Sequence, residues 1–109
     1  MKQSSATLRR RRSALIRALP PLEPILHGSL IERYKRCGKP GCRCASGRGH
    51  GPKYYLSVSR TGGRPEMDYV PEDYREQVEG GLENHRRVRQ ILNKICDINR
   101  ELLRRRERL

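Results

Sequence analysis

The chain has 109 residues, carries 25 Lys and Arg against 12 Asp and Glu for a net charge of +13, and contains neither Phe nor Trp. This length excludes two comfortable cores, and a single thin one must come from Leu, Ile, Val, Tyr and alkyl stems, so a metal or partner chain is expected as a staple. The positive excess concentrates polyanions and names nucleic acid as the expected partner, while no stretch nears the run of about 18 apolar residues that spans a membrane.

Residues 1–27 read as a basic N-terminal arm. Leu8, Leu15, Ile16 and Leu19 recur at helical spacing around Arg9, Arg10, Arg11 and Arg12. This predicts a short helix over 6–19 whose clustered cations grip phosphates. The first 19 residues hold no acid and no apolar run of about seven, unlike a secretory leader. Their Arg and Ser content is similar to that of a transit peptide, but an arm that becomes helical on a phosphate backbone is the preferred reading. Pro20, Pro21 and Pro24 end the helix and stiffen a linker.

Residues 28–79 change to the period of strands. Ser29–Arg36 sets Leu30, Glu32 and Tyr34 opposite Ile31, Arg33 and Lys35, and Lys53–Arg60 sets Tyr54, Leu56 and Val58 opposite Tyr55, Ser57 and Ser59. TGGR supplies a turn into a short third strand, Pro65–Val70. Locally joined strands make an antiparallel meander with one apolar face and one face of hydroxyls and cations. Tyr54 is expected in the core and Tyr55 against bases. Arg33, Lys35, Arg43, Tyr55, Arg60 and Arg64, together with the four arginines of the arm, are the candidate nucleic-acid contacts. Pro71 with Glu72 and Asp73 then starts a helix.

Between the first two strands runs RCGKPGCRCASGRGHGP. Lys39-Pro40-Gly41-Cys42 suits a type II turn that brings Cys37 near Cys42, with Cys44 on the same side. Three thiolates and the imidazole of His50 form an ordinary tetrahedral zinc set, and zinc would order a loop poor in apolar residues. The spacing departs from paired Cys-x2-Cys units, so reduced structural cysteines stand beside the zinc reading, with redox roles third. Four cysteines without a leader argue for a reducing compartment. Gly47, Gly49 and Gly51 would let backbone approach a phosphate, but no Walker pattern is present.

Residues 80–109 read as an amphipathic helix. Val88, Ile91, Ile95, Ile98, Leu102 and Leu109 step by three and four once Arg105, the one charged seam position, is counted between the last two; this is coiled-coil spacing, broadened by Leu92, Cys96 and Leu103. Val88, Ile91, Ile95, Ile98 and Leu102 are the candidate homodimer seam, and Cys96 a small core residue. Gly80-Gly81 is expected to break the helix, since interior glycines cost about 1 kcal/mol each against alanine.

The run GSLIERYKRCGKPGCRCASGRGHGPKYYLSVSR, followed by GGR, YVP and an Arg-rich helix, resembles a prokaryotic family catalogued as domain of unknown function 6788 over residues 28–105. CGKPGCRC and GHGP carry most of the likeness. The resemblance implies a short bacterial or archaeal protein encoded near transposon-derived genes, and Gly80-Gly81 departs from the bulky helix of that pattern. The plan of three strands and a helix is also similar to the arm-binding domain of tyrosine recombinases, whose sheet enters the major groove.

The expected fold is therefore α+β: a short basic N-terminal helix, a three-stranded antiparallel sheet with a cysteine-rich loop, and a long C-terminal helix. The expected function is a DNA-binding accessory protein linked to mobile elements, in the cytoplasm or on the nucleoid. The alternative is a protein-interaction module that dimerises through its heptad helix. An enzyme with a small-molecule substrate is not expected, because convergent acid, base and nucleophile are not evident.

Overall fold

The computed structural model describes residues 2–35 and 51–109 and the backbone of His50. The order is α1 (Ser5–Arg17), β1 (Ser29–Lys35), β2 (His50–Val58), β3 (Glu66–Val70), a 3-10 turn (Glu72–Tyr74) and α2 (Arg75–Arg104). This is the α+β arrangement the sequence implied. The chain forms two compact units, residues 24–82 and residues 1–23 with 83–109.

The first unit is built on an antiparallel meander in the order β1-β2-β3. Ile31 pairs with Tyr55 and Tyr55 with Tyr69, and Leu30 pairs with Leu56 and Leu56 with Asp68. Side chains alternate across a strand, so this register fixes both faces. One carries Leu56 and Val70, which are buried; Leu26, Tyr74 and Val78 line an apolar groove with them. Tyr54 is half-buried there, under the Arg75 guanidinium 4.8 Å from its ring centre and hydrogen-bonded from Arg75 Nη1 to Tyr54 Oη at 2.8 Å.

β2 begins three residues before the expected Lys53. Its register shifts between the Arg33–Lys53 and Lys35–His50 pairs, which places one extra residue in β2. Gly51 fits this irregularity because its φ is +144° and a Cβ would stand 2.8 Å from the Arg33 carbonyl oxygen.

The expected break at Gly80-Gly81 does not occur: α2 runs through both glycines. A Cβ on Gly81 would meet the Pro24 carbonyl oxygen at 2.7 Å and Leu26 carbons at 3.1 Å. The Gly81 carbonyl also accepts the Leu26 N–H at 3.1 Å. Gly81 thus serves close approach of the segment before β1, and packing outweighs local helix propensity.

In the second unit, the Ser4 hydroxyl accepts the Thr7 N–H at 3.1 Å and caps α1. Leu8 of α1 is buried with Ile98 and Leu102 of α2, and Leu15 packs against them. Arg12 donates to Asn99 Oδ1 at 2.7 Å, and Arg9 to the Arg108 carbonyl at 2.7 Å. Asn84 donates to the Pro21 carbonyl at 2.7 Å, tying the Pro-rich segment to α2. Near the chain ends, the Ser5 hydroxyl bonds the Glu107 carboxylate and accepts from Arg105.

Helix α2 ends in a Schellman motif. Glu107 N–H reaches the Leu102 carbonyl at 3.0 Å, Arg106 N–H reaches that of Leu103 at 2.9 Å, and Arg106 adopts φ 57°. Leu109 therefore falls outside the helix and is exposed, contrary to its place in the heptad pattern. Cys96 is exposed rather than a core residue, because the buried stripe runs through Ile98 and Leu102.

Candidate functional site

The open face of the sheet is a small grid. Its middle row is Ile31, Tyr55 and Tyr69; one flanking row is Arg33 and Lys53, the other Ser29, Ser57 and Met67. Rows lie roughly 7 Å apart, two residues along a strand. The Tyr55 and Tyr69 rings meet edge to face, 5.6 Å between centres at 63°. The Arg33 guanidinium lies over the Tyr55 ring, 5.8 Å from its centre. Tyr69 is 56% exposed.

Charge is sorted between the faces. Among the described strand side chains, Glu32, Glu66 and Asp68 alternate onto the side of Leu56 and Val70, whereas Arg33, Lys35 and Lys53 alternate onto the open side. A cation over an aromatic face gains about 0.5–1 kcal/mol when exposed, and Tyr55 itself is half-buried between Arg33 and Tyr69. The chemistry on offer is attraction of anions beside aromatic surfaces.

The sequence candidates divide. Arg33, Lys35 and Tyr55 share this face, as alternation implied. Lys53 and Tyr69 were missed although both keep its parity: Lys53 is two residues before Tyr55, and Tyr69 two after Met67.

Arg60 stands instead in an exposed ion pair with Glu66, 2.6 Å across the mouth of the β2–β3 hairpin. The hydrogen bond that Arg60 donates to the Glu66 carboxylate, and then that carboxylate's charge, raise the Arg60 pKa above its ordinary value. Arg64 is exposed in the loop of that hairpin. Arg9, Arg10, Arg11 and Arg12 belong to the other unit. Arg10 donates to Thr7 at 3.2 Å and Arg11 to Gln3 at 2.6 Å, while Arg12 is half-buried on Asn99. Two of the four are therefore engaged across the helix pair or with the chain end, a role the run of arginines did not reveal.

Of the seam, Val88, Ile98 and Leu102 are buried and Ile91 and Ile95 half-buried. The cover found over Ile98 and Leu102 is α1 of the same chain. Arg43, Cys37, Cys42, Cys44 and the His50 side chain lie outside the described residues, and among the described residues no group of His, Cys, Asp and Glu could hold a metal ion. No helix there is long and apolar enough to cross a membrane.

No curated protein and no solved structure matches the chain. A family model does match, over residues 5–80. The match thus takes in α1 as well as the sheet, and stops at Gly80 rather than running from 28 to 105. It covers more than half of the chain, which therefore belongs to the family described as Domain of unknown function (DUF6788).

Proposed function

We propose that this is a DNA-binding protein whose contact surface is the open face of the sheet. One observation carries the reading: Arg33, Lys35 and Lys53 stand with Tyr55 and Tyr69 on one side while every described strand acid stands on the other. Segregation of this kind leaves a cationic surface with no like-sign penalty against phosphate, and the net charge of +13 adds long-range attraction. Arg10, Arg11, Arg43 and Arg64 supply further phosphate contacts in this reading.

Fluorescence anisotropy of labelled DNA across a salt series tests it. Each phosphate contact steepens the fall of log K with log salt by about 0.9, so the Arg33→Ala/Lys53→Ala variant has a slope shallower by about 2. Binding that ignores salt, or no binding at low salt, removes the proposal.

Cys37, Cys42, Cys44 and His50 are assigned to zinc on the chemistry of the donor set, three thiolates and an imidazole, with Lys39 and Arg43 offsetting its charge. The resemblance noted in the sequence, rather than the family match, suggests the accessory role near transposon-derived genes, in a prokaryotic cytoplasm or on its nucleoid, that this proposal adopts. That role is binding rather than catalysis.

A second reading, a protein-interaction module acting through α2, draws on Leu92 and Leu103, which are 47% and 53% exposed. Sedimentation at several concentrations tests for a homodimer, and partners that survive nuclease treatment would favour this reading.

A further inference from the structure

We infer that the open face takes single-stranded DNA, with unpaired bases stacked on Tyr69 and Tyr55 and the phosphates drawn to Arg33 and Lys53. This deepens the DNA-binding reading and rests on it.

Paired bases present only their edges in a groove, and the side chains that read edges by paired hydrogen bonds are Arg, Lys, Asn and Gln. The strands contain neither Asn nor Gln. Arg33 is already laid over Tyr55, and Lys35 and Lys53, which could also reach base edges, stand to one side of the rings. What the face offers is ring and Ile surface between a cation row and a row of Ser29, Ser57 and Met67. Tyr69 leaves more than half of its surface in water, and only an unpaired base has a face to lay against it. Stacking platforms flanked by cations are how single strands are held without reading sequence.

Tyr55 and Tyr69 meet at 63°, so one flat ligand does not cover both rings. The arrangement therefore takes at least two bases. The cation row, about 7 Å from the rings, lies within reach of the backbone linking them.

The test uses the full chain with labelled oligo-dT of about 20 nucleotides, the dT·dA duplex of the same length and the matching oligo-rU, at one salt concentration. Oligo-dT is expected to bind about tenfold or more tighter than the duplex. Tyr69→Ala costs roughly 5- to 150-fold on oligo-dT and abolishes its preference over duplex, whereas Tyr69→Phe, which keeps the ring, retains that preference. With no Trp in the chain, its five tyrosines dominate intrinsic emission. Oligo-dT quenches that emission, and quenches it less in Tyr69→Ala.

Equal or tighter duplex binding, an unchanged Tyr69→Ala variant or tighter binding of oligo-rU overturns the inference. If DNA binds with a steep salt slope but Tyr69→Ala is neutral, only stacking fails and the DNA-binding reading stands. If no DNA binds at all, both fail. Far-UV circular dichroism checks that the variants remain folded, which the exposure of Tyr69 favours.

Discussion

Alanine placed separately at Gly80 and at Gly81 should move stability in opposite directions, although the two are neighbours in one helix. A Cβ at Gly80 meets nothing within 4 Å. Gly80→Ala therefore gains the helix propensity difference, about 1 kcal/mol, and in a chain this size that raises the melting temperature by roughly 4–8 °C. Gly81→Ala gains the same term but drives its Cβ to 2.7 Å from the Pro24 carbonyl oxygen, closer than non-bonded atoms approach. Overpacking of this kind costs about 1–3 kcal/mol. If the segment yields, the Leu26 N–H···O=C Gly81 bond weakens, a further loss of about 0.5–1.5 kcal/mol. The propensity gain is common to both, so the two variants should differ by about 1–4 kcal/mol, Gly81→Ala being the less stable. Urea titration followed by far-UV circular dichroism reads both midpoints. Equal shifts of the same sign would refute the close approach at Gly81, and no gain at Gly80 would refute an unbroken helix there.

Leu102 is fully buried at 0% exposure in the cluster with Leu8 and Ile98. Leu102→Ala should lower unfolding free energy by about 2–5 kcal/mol, read from urea midpoints, and a loss under about 1 kcal/mol would mean that α1 does not cover this site. Hydrogen bonds from Arg104 and then Arg105 hold the Glu101 carboxyl below its ordinary value. A depressed carboxylate stabilises fully above the unfolded value and ceases to once pH falls below the folded one. Thermal melts from neutral pH down through about pH 3 should therefore show acid-side destabilisation that Glu101→Gln lessens, and identical pH profiles would count against the network. Native mass spectrometry of protein purified without chelator should find one zinc ion, lost in Cys37→Ser and in Cys42→Ser; a metal-free mass with reduced thiols would defeat the assignment.

What the sequence made legible follows from range. Alternation in β1 and β2 needs only a period of two, so Arg33, Lys35 and Tyr55 could be placed together from the letters. Tyr69 joined them only through the β2–β3 register, which its own five-residue strand does not announce, and Lys53 stood at the edge of the expected strand. Gly80-Gly81 was misread because propensity is local, whereas Pro24 and Leu26 approach from more than fifty residues away. The cover over Ile98 and Leu102 was hidden for a related reason. The α1 stripe is sparse and interrupted by arginines, yet Leu8 and Leu15 suffice when Arg12 finds Asn99. The heptad spacing marked a buried stripe correctly but carried no information about which chain supplies its partner.

The cross-strand pair Lys35–His50 has a thermodynamic corollary. The Lys35 and His50 backbones are held about 5 Å apart whenever β1 and β2 are zipped. A ligand that prefers this closed geometry draws the zipper shut, and the zipper in turn raises affinity for that ligand by the same factor. Arg33 and Lys53 occupy the next rung, so any ligand that engages both side chains favours the zipped strands over the parted ones.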